Sequence, residues 1–127
     1  MTALTLHAPK MLSVLRIMSS LLFIAHGTQK LFGFPATEQM PPAFSLMWIG
    51  GVLELVGGLL LLIGLFTRPV AFILSGMMAV AYFMFHAPQG FYPSNNGGDA
   101  AILFCFVFLY FVFAGPGPIS LDASRKA

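Results

Sequence analysis

The sequence predicts an all-α integral membrane protein, folded as an antiparallel four-helix transmembrane bundle. Of its 127 residues, 58% are hydrophobic and only 8% are charged, and the mean hydropathy is +0.90. A soluble domain carries about 25% charged residues, so this chain has too little polar surface to cover a water-soluble globule. Its long uninterrupted apolar runs favour helices over a membrane β-barrel, whose strands alternate apolar and polar residues.

Four apolar segments are the predicted spans, within one domain that covers residues 1–127. They run over about residues 11–32, 43–66, 69–87 and 98–115. The first segment is too long for the apolar core of a signal peptide, so we expect an uncleaved span. Prolines and glycines interrupt the chain between the segments, because proline cannot continue a helix. Asn95, Asn96 or Asp99 is expected to cap the fourth helix.

Basic residues lie mainly on one side of this arrangement. One side holds Lys10, Arg16, Arg68, Arg125 and Lys126, and the other holds Lys30. The positive-inside rule then places both termini in the cytoplasm, together with the tight turn between the second and third spans. The two longer loops face outward.

Two classes of function are excluded by composition. Nucleic-acid binding needs a clustered basic face, and six lysines and arginines spread along the chain do not form one. The single cysteine, Cys105, rules out an intrachain disulfide, a CxxC redox pair and a thiolate metal cage.

Each predicted span carries its polar groups along one line of the helix surface, at the period of 3.6 residues per turn. The lines contain Arg16, Ser19, Ser20, Phe23, His26, Gly27 and Lys30 in the first span, Gly50, Gly51, Glu54, Gly57, Gly58 and Gly64 in the second, Ser75, Tyr82 and His86 in the third, and Asp99, Phe106 and Tyr110 in the fourth. Because a charge in the hydrocarbon core costs several kcal/mol, we expect all four lines to face inward.

The second span combines closely spaced glycines with a carboxylate near the middle of the membrane. Glycines allow another helix to approach closely, which predicts a packing role for them. They are Gly50, Gly51, Gly57 and Gly58. Glu54 lies among them, and a cation of the first span is expected to neutralise it. We predict a structural ion pair with Arg16, and His26 and Lys30 are the alternatives.

Titratable side chains of several spans converge toward the outer end of the predicted bundle. We predict a ligand site or an ion-pair cluster formed by His26, Lys30, Glu54, Tyr82, His86 and Asp99. A quinone fits these groups best, since its carbonyl oxygens need hydrogen-bond donors and its redox chemistry needs a route for protons. The alternative is a buried ion-pair network that only fixes helix register. Haem between the two histidines, or a divalent metal on them and a carboxylate, matches less well, and no metal site is predicted.

The order and spacing of several short motifs resemble the DoxX family of small bacterial inner-membrane proteins. The motifs are Arg16…His26-Gly27-x-x-Lys30 in the first span, Gly51-x-x-Glu54-x-x-Gly57-Gly58 in the second, Thr67-Arg68 at the tight turn, Asn96-Gly97-Gly98-Asp99 at the fourth span, and Gly115-Pro116-Gly117…Ser120-Leu121-Asp122 at the end. The resemblance covers about residues 11–123. The family more often has Glu at the position of Asp99.

The resemblance implies a four-helix protein of the bacterial inner membrane, surrounded by lipid. The family takes its name from a subunit of an archaeal thiosulfate:quinone oxidoreductase, and other members are linked to oxidative-stress and thiol-redox complexes. This implies a quinone-linked, redox-associated membrane subunit, with quinone as the candidate cofactor. A non-catalytic anchor or assembly factor for a soluble oxidoreductase is the first alternative, and a small-solute or proton carrier built as a homo-oligomer is the second. Neither the residues nor the resemblance assigns a substrate or a catalytic residue.

Overall fold

The computed structural model describes residues 2–37 and 40–126, and the regular elements in these ranges are all helical. The α-helices are α1 (Ala3–Leu6), α2 (Ala8–Phe32), α3 (Leu46–Ile63), α4 (Thr67–Ala81), α5 (Pro93–Asn96), α6 (Asp99–Ala114) and α7 (Leu121–Lys126). A π-helical turn, Tyr82–His86, and a 3-10 turn, Ala87–Gln89, continue α4. The predicted all-α class is confirmed.

Three helices of the described ranges are long and apolar enough to cross a membrane: α2, α3 and the continuous helix from Thr67 to Gln89. α6 is also apolar but shorter, at 16 residues. α2 packs most extensively on α3, and α4 packs on α6. Each of these two pairs is antiparallel, so the start of α2 and the end of α6 both lie beside the turn that joins α3 to α4. We call this end of the bundle the closed end.

Local capping sets where the first two spanning helices begin. α2 begins at Ala8, and Pro9 occupies its first turn, where a missing N–H group costs no helical hydrogen bond. α3 begins at Leu46 rather than near residue 43. The hydroxyl of Ser45 accepts a hydrogen bond from the Trp48 N–H at 3.3 Å, which is the standard arrangement of a serine N-cap.

Three glycines of α3 are sites of close helix contact. A Cβ atom on Gly51 would lie 2.9 Å from the Lys30 side chain of α2, and one on Gly58 would lie 2.6 Å from another α2 side chain. On a different face, a Cβ atom on Gly57 would lie 2.8 Å from Leu74 of α4. Because these separations are shorter than van der Waals contact, only glycine permits both neighbouring helices to approach α3 this closely.

Gly50 does not pack against another helix, so its predicted packing role is wrong. It lies two helical turns from Gly57, on the same face of α3. The nearest atom to a Cβ at Gly50 would be an oxygen of Glu54, on the same helix, at 4.0 Å. α3 and α4 therefore diverge as they leave their shared turn, and a space lies between their far halves. We call that end of the bundle the open end.

The buried face of α6 is aromatic and differs from the predicted one. Phe23 of α2 contacts Phe104 of α6 edge to face, with ring centroids 5.2 Å apart. The predicted inward line of α6 is wrong, because Phe106 is 63% exposed and Tyr110 is 57% exposed. Asp99 is exposed as well. α6 is apolar on every side, so its sequence lacks the amphipathic pattern from which a buried face could be read.

The segment that follows α6, residues 115–122, crosses the closed end, and we call it the C-terminal clasp. Arg16 of α2 is 1% exposed, and its guanidinium donates to the carbonyl oxygens of Pro116 and Ile119, the latter at 2.7 Å. The Ser13 hydroxyl donates to the same Pro116 carbonyl at 3.2 Å. These bonds hold the clasp against the first turns of α2.

Asp122 of the clasp caps the first turn of α4. Its carboxylate accepts hydrogen bonds from the N–H groups of Phe66 and Thr67, both at 2.9 Å. α4 consequently begins two residues before Pro69, which was predicted to open the third span. The Asp122 N–H donates to the carbonyl of Gly64 at 2.9 Å. Gly64 has φ 70°, a left-handed conformation that glycine adopts without strain.

Asp122→Asn is expected to lower the free energy of unfolding by about 0.5–2 kcal/mol at neutral pH, because the α4 cap loses its charge and one acceptor. Burial raises the pKa of the Asp122 carboxyl, but hydrogen bonds from Thr67 and Phe66 and the charge of Arg125 hold that pKa below its ordinary value. The stabilisation is therefore complete above the unfolded-state pKa of about 3.9 and is lost as the pH falls through the lower folded-state pKa.

Thermal unfolding of the purified protein at neutral and acidic pH measures this effect. The difference between wild type and Asp122→Asn should shrink when the pH is lowered below about 4. Asp99→Asn removes an exposed carboxylate at the open end and is the matched control, with a smaller loss expected. Equal stability of wild type and Asp122→Asn at neutral pH would show that the cap does not stabilise the fold.

Candidate functional site

A cleft of about 590 Å³ lies between the far halves of α3 and α4 at the open end. Its apolar walls are formed by Leu46, Met47, Ile49, Leu53, Met77, Val80, Ala81, Met84 and Phe85. Phe23 and Phe104 line it from α2 and α6. Ile49 and Val80 of this lining are 46% and 56% exposed, so the cleft is open to the surroundings between α3 and α4. Its volume is in the range of small-molecule sites, about 300–1,000 Å³.

Four of the six predicted site residues line this cleft. They are His26, Lys30, Glu54 and His86. Tyr82 and Asp99 do not belong to the lining. Asp99 is exposed at the first turn of α6, and its predicted place in the cluster is wrong. The cleft therefore has polar groups from three helices, and Gln89 beside them, set in walls that are mainly apolar.

Glu54 is the most deeply buried of these groups and forms an ion pair with Lys30. The Glu54 side chain is 3% exposed and the Lys30 side chain is 27% exposed. The Lys30 Nζ donates a hydrogen bond to the Glu54 Oε1. Since an ammonium has three N–H donors, Lys30 neutralises the carboxylate and keeps donors for a molecule in the cleft.

The predicted ion pair between Arg16 and Glu54 is wrong. Arg16 binds the clasp at the closed end, and Lys30 neutralises Glu54. Gly27 lies level with Glu54 in the antiparallel pair of α2 and α3, because a Cβ on Gly27 would lie 3.2 Å from the Glu54 Cβ. Arg16 is three helical turns from Gly27, roughly 16 Å along the axis, whereas Lys30 is within one turn.

Asn96, which the sequence marks only as a candidate helix cap, organises the side chains beside the cleft. It is 3% exposed, and its amide donates to the Tyr82 hydroxyl at 3.1 Å and to the Gly90 carbonyl at 3.0 Å. Its side-chain oxygen accepts from the Gly98 N–H at 2.8 Å. Its backbone carbonyl is 3.1 Å from the Nδ1 of His86. Tyr82 thus supports the site through Asn96 without lining the cleft.

A π-helical turn lies beside the cleft and ends at His86. The turn spans Tyr82–His86 and follows directly after α4. A π turn holds more residues than an α-helical turn, so the side chains that follow it point in new directions. Such turns are frequent at functional sites.

Other polar groups lie apart from the cleft. In the described ranges, no three His, Cys, Asp or Glu side chains come together in a way that could hold a metal ion. Cys105 is partly buried between α6 and α4. The Ser75 hydroxyl donates to the Cys105 carbonyl at 2.8 Å and lies 3.6 Å from its sulfur. Neither residue lines the cleft.

Comparison with known proteins identifies similar sequences. The profile of the DoxX family matches residues 11–87. An uncharacterized protein of Haemophilus influenzae is 44% identical over 96% of this chain and 96% of its own length. The inner membrane proteins YphA and YqjF of Escherichia coli are each 30% identical, over 90% and 86% of this chain and 89% and 87% of their own lengths. No solved structure matches significantly.

Proposed function

The chain belongs to the DoxX family of membrane proteins, and we propose that it is an inner-membrane protein that binds a quinone in its cleft. One observation carries this proposal: the buried Glu54 carboxylate is paired with the partly exposed Lys30 at a largely apolar cleft. A charged pair in such a place is costly unless it has a partner or a function, so intramembrane ionisable groups mark functional sites.

The cleft offers each part of a quinone a suitable environment. The Lys30 ammonium can donate a hydrogen bond to a carbonyl oxygen of the ring. Phe104, which is partly exposed, supplies an aromatic surface against which a flat ring can pack, and the buried Phe23 supports it from α2. The exposed apolar walls beside Ile49 and Val80 leave a path for an isoprenoid tail into the bilayer.

We place the closed end of the bundle on the cytoplasmic side. The basic side chains described at that end are Lys10, Arg16, Arg68 and Arg125, whereas Lys30 lies toward the open end. The positive-inside rule then puts both termini in the cytoplasm and the cleft in the outer half of the inner membrane.

The same groups support a redox-associated role. Glu54 and His86 are side chains that can accept and release the protons that accompany quinone reduction and oxidation. The electrons would come from or go to an oxidoreductase partner, soluble or in the membrane. The protein is then the quinone-binding membrane subunit of that pair.

Gly50→Leu is expected to weaken the binding of a short-chain ubiquinone analogue at least about 10-fold, or about 1.4 kcal/mol. Gly50 lines the cleft beside Glu54, and a Cβ atom there would touch no neighbouring helix, so a larger side chain has room to extend into the cleft. Calorimetric titration of the detergent-purified protein measures the dissociation constant. Quinone extracted from the same preparation shows whether the protein retains a native ligand.

Gly76→Leu is the matched control for this experiment. A Cβ on Gly76 of α4 meets no atom within 4 Å, and Gly76 does not line the cleft. The affinity of Gly76→Leu for the ubiquinone analogue should stay within about twofold of that of the wild-type protein. If the wild-type protein binds no quinone, or if both variants bind equally well, the cleft is not a quinone site. Co-purification of an oxidoreductase would then favour the non-catalytic anchor.

A further inference from the structure

The hydrogen bond of His86 determines which of its ring nitrogens carries the proton. Nδ1 lies 3.1 Å from the backbone carbonyl of Asn96. A carbonyl oxygen only accepts hydrogen bonds, so Nδ1 must be the donor. In the neutral imidazole the other nitrogen, Nε2, then has a lone pair and no proton. His86 therefore offers an acceptor, not a donor, to a molecule in the cleft that it lines.

The surrounding structure holds this arrangement in place. Asn96 is 3% exposed, and its side chain is bonded to Tyr82, Gly90 and Gly98. The Asn96 carbonyl that accepts the hydrogen bond from His86 Nδ1 therefore belongs to a residue that three further hydrogen bonds hold in place. The π-helical turn ends at His86 and presents the ring both to this carbonyl and to the cleft.

A ligand held between Lys30 and His86 meets a donor on one side and an acceptor on the other, while His26 and Gln89 also line the cleft. His86 supplies the unprotonated Nε2, and Lys30 supplies N–H groups that its ion pair with Glu54 leaves over. The two oxygens of an oxidised quinone are both acceptors, so one of them would face the Nε2 lone pair. A hydroquinone has a hydroxyl group on each side of the ring, and a hydroxyl both donates and accepts.

We infer that the cleft binds the reduced hydroquinone in preference to the quinone, with one ligand hydroxyl donating to His86 Nε2 and the other accepting from Lys30. This inference rests on the proposed quinone site and names the redox form that it selects. His86 is the residue that sets the selectivity, and Asn96 is a positioning residue that acts through it.

The test compares the affinities for a short-chain ubiquinone analogue and its hydroquinone, both measured anaerobically at the same pH. The wild-type protein should bind the hydroquinone about 10-fold more tightly. In His86→Gln the ratio should fall to within about twofold, because an amide both donates and accepts. His7→Gln changes an exposed histidine outside the cleft and should keep the wild-type ratio.

A second measurement is independent of the ligand. In protein labelled with ¹⁵N-histidine, NMR should show a His86 ring that is protonated at Nδ1 and unprotonated at Nε2, with the signal assigned by its loss in His86→Gln. A proton on Nε2 instead would overturn the inference and leave quinone binding intact. Equal affinities for the two redox forms would do the same. No binding of either form would reject the quinone site together with this inference.

Discussion

Arg16→Met is expected to lower the free energy of unfolding by about 2–5 kcal/mol, because the carbonyl oxygens that accept from this buried guanidinium lose a charged donor. The guanidinium is 1% exposed and donates to the carbonyls of Pro116 and Ile119. A methionine side chain fills similar space but has no donor. Unfolding in mixed detergent–SDS micelles, followed by circular dichroism, measures the loss. Proteolysis should also release the C-terminal clasp more readily in this variant.

Arg68→Met is the matched control because Arg68 also bonds two carbonyl oxygens. It donates to Val112 and Phe113, both at 2.8 Å, but its side chain is exposed. Water can replace these bonds, so the loss should stay below about 1.5 kcal/mol. Equal losses for Arg16→Met and Arg68→Met would contradict the view that the buried position of Arg16 makes it important.

Lys30→Met is the second substitution with a large expected effect, a loss of about 3 kcal/mol. It leaves the Glu54 carboxylate, which is 3% exposed, without its counter-ion. The loss is placed at the low end of the range for buried pairs because the Lys30 side chain is 27% exposed, so the pair is only partly buried. The same SDS titration measures it.

The double variant Lys30→Met/Glu54→Gln tests whether the two side chains act as a pair. Removal of both charges takes away the uncompensated carboxylate, so the double variant should be more stable than Lys30→Met alone. Lys10→Met removes an exposed lysine of the same helix and should change stability by less than about 0.5 kcal/mol. Glu54→Gln alone completes the comparison. If the loss in the double variant equals the sum of the losses in Lys30→Met and Glu54→Gln, the ion pair does not couple α2 to α3.

The sequence contains enough information to predict the fold and to predict which polar side chains turn toward the inside of the bundle. Apolar runs of spanning length predict the helices, and the cost of polar groups in lipid predicts that they turn inward. Arg16, Ser20, Glu54 and Ser75 are all buried, as their helical spacing predicts. The physical reason is general: a membrane penalises a charge on the outside of the bundle more strongly than water does.

Other features of the candidate site depend on contacts between distant segments. The partner of Glu54 follows from the antiparallel register of α2 and α3, and the length of the connecting loop does not determine that register. The role of Asn96 depends on a π-helical turn that has no clear sequence signature. The roles of Arg16 and Asp122 depend on the path of the clasp. These features could not be read from helical periodicity.

The short length of α6 has a consequence for the lipid around the protein. Its 16 residues extend about 24 Å, whereas the 25 residues of α2 extend about 37 Å. The hydrocarbon core of a bilayer is about 30 Å thick, so acyl chains beside α6 must compress while those beside α2 need not. Phospholipids with shorter acyl chains should therefore collect along α6, and the protein should favour thinner regions of its membrane.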